Sequence, residues 1–477
     1  MDPRVFGAID IGASSGRVVA GVVDTGHVRL EVVHRFPNGA TERDGHLRWD
    51  LTELYRQVLE GLAVLARRHP GVESVGIDTW AVDYGLLDDR GDLLAEPVSY
   101  RDARCVHAAQ DFERRWPREE VFGVNGLQHL PFTTVHQLWA ERSSALWPRL
   151  RHVVLLPDLL AYWLTGALST ERTNASTTGL LDAVTGTWSH ALLDTIELPE
   201  EALPPLADPG SVRGPLTPEL CTRTGLPAGC VVTTVASHDT ASAVVGVPAT
   251  SDRFAYVSSG TWSLVGVELP SPVLTAGART GGFTNEAGVD GTTRFLRNVG
   301  GLWLLQESVR QWRREGLAVD ETDLLTAAAA LPPGGPVVDV DDPGLIPPGD
   351  MPARLRVAAG RRGASLDEPA AVARCVLDSL AHAYARTVAD AQTVTERPVE
   401  VVHVVGGGSQ NELLCRLTAD VSGLPVLAGP VEATALGNVM VQARAHGALT
   451  GDLATLRAET LARWGTAPRR YEPASPG

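Results

Sequence analysis

Lysine is absent from the 477 residues, and all 41 basic side chains are arginine. That absence removes several chemistries at once. A Walker-type loop needs a lysine on its phosphates. Schiff-base and pyridoxal enzymes form their imine on one. The protein-kinase fold holds its nucleotide with a strand lysine. Phosphate chemistry in this chain must therefore rest on arginine, backbone N–H groups and a metal ion. Cysteine is scarce: Cys105, Cys221, Cys230, Cys375 and Cys415 are odd in number and lack the spacing of a zinc site or redox pair. They read as free thiols of a reducing compartment. No run approaches the roughly 18 apolar residues of a membrane span; Leu155 to Leu164 is broken by Pro157 and Asp158. Residues 1–25 carry Asp10 and a glycine turn where a secretion signal has its apolar core. The expectation is a cytoplasmic protein with no membrane partner. A net charge of −16 argues against nucleic acid as a partner.

The length exceeds one ordinary core, so two or three domains are expected. Val231 to Val235 is a β-branched run that reads as a buried strand. It stops at Ser237-His238-Asp239-Thr240, and an alanine and valine run suited to a helix follows. Asp239 is thus placed at a strand-to-helix junction, where layered α/β folds bind ligands and helix N–H groups draw anions. An N-cap is the structural alternative for Ser237 or Asp239.

Val5 to Val23 reads as strand, tight turn, strand, and His27 to Phe36 as a third strand. The first turn, Gly12-Ala13-Ser14-Ser15-Gly16, is rich in glycine and hydroxyls, which suits an anion nest. Asp10 points from the strand end into it; a carboxylate beside a phosphate requires a divalent cation between them. Residues 51–68 carry Leu51, Leu54, Tyr55, Val58, Leu62 and Leu65 at helical spacing. In residues 74–88, Asp78, Thr79, Trp80 and Asp83 interrupt an apolar run. Burying them unpaired costs a few kcal/mol, so they line a cleft or satisfy loop N–H groups. Tryptophans 116, 139, 147, 163 and 188 read as core packing. The proline-rich residues 196–230 and 332–352 read as surface connections.

Phe254 to Val267 repeats the opening pattern; aligning Gly12 with Gly260 puts Ser258 opposite Asp10, which suggests an internal duplication. Residues 368–393 read as a helix, and Val399 to Val405 as a central strand running into Gly406-Gly407-Gly408-Ser409-Gln410-Asn411 and a further helix. Strand, glycine triplet and helix form a nucleotide-type turn.

Asp10-Ile11-Gly12-Ala13-Ser14-Ser15-Gly16-Arg17, Ile77-Asp78-Thr79-Trp80, Ala236 to Ala243, Ser258 to Ser263, Gly301 to Gln306, Gly406 to Asn411 and Ala428 to Ala433 occur in this order along nearly the whole chain. As a set they resemble the FGGY family of carbohydrate kinases. The resemblance implies an α/β fold of two ribonuclease-H-like (actin/hexokinase-like) domains facing across a cleft. A sugar-binding domain with the catalytic base would span 1–245, a nucleotide-binding domain 246–470, and a loose tail 471–477. It implies ATP as donor, Mg2+, and a ketose acceptor, L-rhamnulose, phosphorylated at its 1-hydroxyl. By position, Asp239 resembles the catalytic base. Ala81, Asp83, His238 and Thr240 join it in contacting the sugar. Ala13, Ser14, Ser15, Gly16 and Arg17 match the first phosphate-binding turn, and Thr261, Asn298, Gln306 and Gly407 match nucleotide contacts. Asp10 matches the carboxylate that helps hold the metal. Ala81 stands where the family has glycine, and its methyl could narrow the pocket. Arg17 could instead pair with an acid. Alternatives are kinases of fuculose, xylulose or glycerol, an actin-like ATPase without an acceptor, or an inactive sugar-binding regulator. Oligomeric state is not legible.

Overall fold

The computed structural model describes residues 2–347 and 349–474. The chain forms two compact units, neither continuous in sequence. Met1–Thr250, Glu268–Phe295 and Ala433–Ala467 make the first; Ser251–Val267, Leu296–Glu432 and Pro468–Gly477 make the second. Segments beyond residue 245 thus divide between the two.

The first unit is built on the hairpin β1 (Arg4–Ile11) and β2 (Ser15–Val23), paired antiparallel from Arg4↔Val23 to Ile11↔Gly16. β3 (Val28–Pro37) extends it on one side. Helix α1 (Leu51–Arg68) follows, capped by the Asp50 carboxylate on Glu53 N–H and closed by Arg67 and Arg68 in its last turn, which suits the helix dipole. Then β4 (Val72–Thr79) lies parallel to β1 with Asp10 beside Asp78, and β5 (Val231–Thr233) lies parallel to β4. From Val5 on, every residue of β1 is buried because helices cover both faces of the sheet. On one face Leu51, Leu54, Val58, Leu62 and Leu65 of α1 meet Ile9, Val18 and Ile77. On the other, Val439, Met440 and Ala443 of the helix Ala433–Ala445 meet Phe6, Ala8 and Val19. Each such side chain contributes about 1.5–3 kcal/mol when fully buried. Five residues separate β5 from the short helix α2 (Asp239–Val245), which carries Asp239 in its first turn.

Residues 196–230 are more ordered than a surface connection. Val212–Pro215 is the edge strand beyond β5, where proline costs no ladder bond, and Leu216, Leu220 and Leu226 are core residues. The tryptophans pack as expected: Trp188 is buried in a satellite core, Trp116, Trp139 and Trp147 lie against it, and Trp163 lies against the main core.

In the second unit β6 (Phe254–Ser259) pairs antiparallel with β7 (Trp262–Leu269) and parallel with β8 (Val401–Val405). Helix α3 (Pro369–Thr395) precedes β8, and Tyr384 on it meets the hydroxyl of Ser263 at 2.6 Å. Helix α4 (Glu412–Ser422) follows β8, capped by Asn411 on Leu414 N–H. β9 (Val426–Ala428) is parallel to β8 and antiparallel to β10 (Arg469–Tyr471). A hairpin whose first strand runs parallel to a second strand, itself parallel to a third, is also the pattern of β2, β1, β4 and β5. The internal repeat is therefore a repeat of topology as well as of sequence. Tyr471 closes a strand, and residues 475–477 of the tail lie outside the described residues. Within 332–352 the chain forms a short 3-10 turn, Pro343–Leu345, before the helix Met351–Gly360. Among the described residues no helix is long and apolar enough to cross a membrane.

Candidate active site

In the first unit the strand ends bring carboxylates together. Asp10 and Asp78 are register partners on β1 and β4. Thr79 N–H donates to Ser237 O at 2.9 Å, and Thr79 bridges His238, so the segment leading to Asp239 runs beside them. The Asp239 side chain is 31% exposed and accepts from Thr240 Oγ1 at 3.2 Å. Loss of hydration pushes its pKa up; the neighbouring His238 opposes that, and the charge of Asp10 adds to it. Asp78 is fully buried. Its Oδ2 accepts from Asn438 Nδ2 at 2.6 Å, while its Oδ1 has no hydrogen-bond partner. Burial, then the charge of Asp10, push its pKa well up against the Asn438 bond.

Arg17 faces Asp10 across the hairpin and donates to its Oδ2 through Nε at 2.9 Å and Nη2 at 2.6 Å. Between them the turn is shaped by Gly12 N–H donating to Ser15 O at 2.9 Å and by Asn38 Nδ2 donating to Gly12 O at 2.8 Å. Ser14 and Ser15 are exposed and Ala13 half-buried, so the turn is open to a ligand. Gly16 has no room for a side chain, since a Cβ there would stand 2.3 Å from the Phe36 ring.

Asp83 has protein partners. Trp49 Nε1 and Trp80 Nε1 donate to its Oδ2 at 2.6 and 2.9 Å, Tyr100 N–H donates to the same oxygen, and Gln137 Nε2 donates to Oδ1. Burial pushes its pKa up to about 6, against the indole and amide bonds. Ala81 is half-buried, one residue beyond Trp80.

The remaining candidates lie in the second unit. Thr261 is in the β6–β7 turn, whose carbonyls at Gly260 and Thr261 accept from Leu302 and Trp303 N–H at 3.0 and 3.1 Å. Gly301 makes that contact possible, as a Cβ would stand 2.4 Å from Thr261 O. Asn298 is on the strand entering this loop and Gln306 on the helix leaving it, exposed. Gly407 opens the turn after β8, exposed and with space at its Cα, beside Gly406 at φ +79°.

Sequence reasoning missed the groups that hold Ser237 and His238, the residues leading into Asp239. Glu171 Oε2 accepts from Ser237 N–H at 3.0 Å and Oγ at 2.9 Å, and the Glu171 carboxylate also takes Thr173 and Asn174 N–H. His238 lies against Glu286 and Arg294. Each is distant in sequence from Asp239, and none carries a local signal.

Two carboxylates at adjacent strand ends beside an open glycine–serine turn, with a third on a helix start, suit phosphoryl transfer to a hydroxyl. A family model for the N-terminal domain of the FGGY carbohydrate kinases matches residues 5–246, and one for the C-terminal domain matches 255–446. The chain belongs to the FGGY family of carbohydrate kinases. It is 40% identical over 439 residues to a rhamnulokinase of Bacillus subtilis (strain 168), covering 92% of this chain and 90% of that protein. To a rhamnulokinase of Bacteroides thetaiotaomicron it is 42% identical over 456 residues, covering 95% and 93%. In fold it resembles gluconate kinase from Lactobacillus acidophilus (TM-score 0.79, 17% identity, 99% of this chain and 94% of that one). It also resembles xylulose kinase from Rhodospirillum rubrum (TM-score 0.77, 21% identity, 98% and 94%). This FGGY chain thus has the two-domain α/β fold expected from its motifs.

Asp78 gives this FGGY site a pH-dependent weakness. A carboxyl whose folded pKa is raised holds its proton more tightly when folded. Its stabilisation is complete below the unfolded carboxylate value, about 3.9, and is lost as pH rises through the raised folded value. Asp78→Asn keeps the shape and an oxygen for Asn438. It is expected to raise the melting temperature at pH 7–8 and to leave it nearly unchanged near pH 4. Thermal unfolding across that range measures the difference; equal curves for both proteins would show Asp78 ionising without penalty.

Proposed function

We propose that this chain transfers the γ-phosphoryl group of ATP to the 1-hydroxyl of L-rhamnulose, giving L-rhamnulose 1-phosphate and ADP. The observation that carries this reading is the identity of about 40% with rhamnulokinases over more than 90% of this chain. In this reading Asp239 is the base. It accepts the proton of the sugar hydroxyl as the bond to phosphorus forms, a contribution of about 10²–10⁴-fold. Ala81, His238 and Thr240 line the sugar, and Asp83 acts through the indole of Trp80. Ala13 to Gly16 offer N–H groups and hydroxyls to the phosphates. Arg17 is engaged by Asp10, so its part is to fix that carboxylate. Thr261, Asn298, Gln306 and Gly407 contact the nucleotide.

Mg2+ is the proposed ion, and the residues fit one. Among the described residues no three His, Cys, Asp or Glu side chains could hold a metal by themselves. Yet Asp10 and Asp78 adjoin, and Asp78 Oδ1 is buried without a partner. That arrangement suits an ion completed by phosphate oxygens and water, with Asp10 as the protein side. When bound, the ion would neutralise charge on the transferring phosphoryl group. Burial is the main cause of the raised Asp78 and Asp239 pKa values, and the ion would offset the Asp10 charge that adds to it.

A panel of L-rhamnulose, L-fuculose, D-xylulose and glycerol with ATP and Mg2+ tests the assignment. L-rhamnulose is expected to give the highest kcat/KM. A higher value for another acceptor would reassign the substrate, and ATP turnover indifferent to any acceptor would favour an actin-like ATPase. Ala81→Gly is expected to lower KM for bulkier ketoses, because it removes the methyl that narrows the pocket.

A further inference from the structure

Arg294 is completely buried, and each end of its guanidinium is used within the first unit. Nε donates to Ala287 O at 3.0 Å and Nη2 to Thr173 O at 3.2 Å. Nη1 lies 2.7 Å from Glu286 Oε2 and makes a 3.2 Å hydrogen bond with His238 Nδ1. The other ring nitrogen, Nε2, lies 3.3 Å from Asp239 Oδ1. Glu286 Oε2 is also 3.3 Å from Nδ1; neither this contact nor the Nε2–Asp239 one has hydrogen-bond alignment, so both act by charge, and the hydrogen bond on the ring is that from Arg294.

A guanidinium has donors and no acceptor, and it stays protonated in proteins. The nitrogen that bonds to it must therefore present a lone pair. A neutral imidazole has one N–H and one lone pair, so an acceptor Nδ1 puts the proton on Nε2. That N–H then faces the Asp239 carboxylate. Thr240 Oγ1 reaches the same oxygen, Oδ1, at 3.2 Å. Thr240 donates to that oxygen, and the imidazole N–H adds an electrostatic contact at 3.3 Å; together they favour one rotation of the carboxylate. Glu286 balances the buried arginine charge, without which the pair would not be tolerated.

We propose that Arg294 is a positioning residue for the Asp239 base, holding His238 in the Nε2–H tautomer so that the ring presents its N–H to Asp239 Oδ1. The proposal rests on the reading of Asp239 as the base. Nothing in the local sequence of Arg294 connects it to residue 239; only the fold places it behind the ring.

Long-range 1H–15N NMR of the full chain labelled with 15N-histidine tests this, the His238 signals being assigned by their loss in His238→Gln. The expected spectrum shows Nε2 protonated and Nδ1 with the shift of a bare acceptor. A protonated Nδ1, in the other tautomer or in an imidazolium, overturns the proposal. The paired variant Arg294→Met with Glu286→Gln removes the donor without stranding a charge. It is expected to lower kcat about 10- to 100-fold, as displaced catalytic groups do. KM for sugar and ATP should stay within a few-fold, and the tautomer should shift toward Nδ1–H. Arg294→Lys, which keeps a donor and the charge, is expected to restore the tautomer and part of kcat. A shifted tautomer with unchanged kcat, or a loss confined to KM, overturns the positioning role. If the paired variant does not fold, the wild-type spectrum still decides. Failure of the base assignment is separable: near-normal turnover in Asp239→Asn would remove it without altering that spectrum.

Discussion

Asp239→Asn is expected to lower kcat by about 10²–10⁴-fold, the range a positioned general base supplies, and to leave ATP affinity unchanged. Asparagine keeps the size of the side chain and an oxygen for Thr240 Oγ1, but it cannot take the proton. The residues assigned to the nucleotide belong to other segments, so ATP binding measured by calorimetry should match the wild type. The raised pKa gives the variant a second signature. Activity requires the carboxylate, so the acid limb of kcat/KM should lie above the ordinary carboxylate range. Stability runs the other way. A folded pKa above the unfolded one favours the protonated form, and that stabilisation is lost as pH rises through the folded value. Asp239→Asn should therefore melt higher than the wild type near neutral pH while turning over far more slowly, a trade of stability for activity typical of active sites. ADP release with L-rhamnulose and a melting curve measure both effects. Turnover within a few-fold of wild type would remove Asp239 from the proton transfer.

What the sequence disclosed and what it withheld follow from distance along the chain. Helix α1 is written in its own 3.6-residue period, and the two hairpins in their glycine–serine turns, so both could be read locally. The edge strand Val212–Pro215 was hidden because its proline reads as a loop, and only its position beyond β5 makes proline acceptable. Asp83 shows a deeper limit. A polar residue inside an apolar run must be paired, but the run does not say with what. Here two indoles, an amide and a backbone N–H take the carboxylate. The groups behind the segment of the candidate base, Glu171, Glu286 and Arg294, come from three separate strands. Each would read as an ordinary surface charge, although all three are buried in the fold. Ionisable groups this deep are rare unless paired, and their pairing is a property of the tertiary structure alone.

Gly437→Ala is expected to destabilise the chain by about 3 kcal/mol, the upper part of the usual overpacking range, and to lower kcat with it. Alanine would normally improve a helix interior by about 1 kcal/mol, so glycine at this position in the helix Ala433–Ala445 calls for a reason. The reason is α2. A Cβ on residue 437 would stand 1.8 Å from the carbonyl oxygen of Ser242 and 3.1 Å from the N of Gly246. Gly246 in turn approaches Ala433 O so closely that its own Cβ would be 2.4 Å away. The obstacles are backbone atoms, so no rotamer change can relieve them, and the two helices must move apart. α2 has seven residues and carries Asp239 in its first turn, so a displacement that separates the helices also moves the carboxylate. The loss should therefore appear as a lower melting temperature together with a lower kcat at nearly unchanged ATP affinity. Gly123→Ala is the control. It lies in the helix Arg118–Asn125 with nothing within 4 Å of an added Cβ, and it should stabilise by about 0.5–1 kcal/mol with kcat unaltered. If Gly437→Ala melted and turned over like the wild type, the close contact of the two helices would not be what sets the position of Asp239.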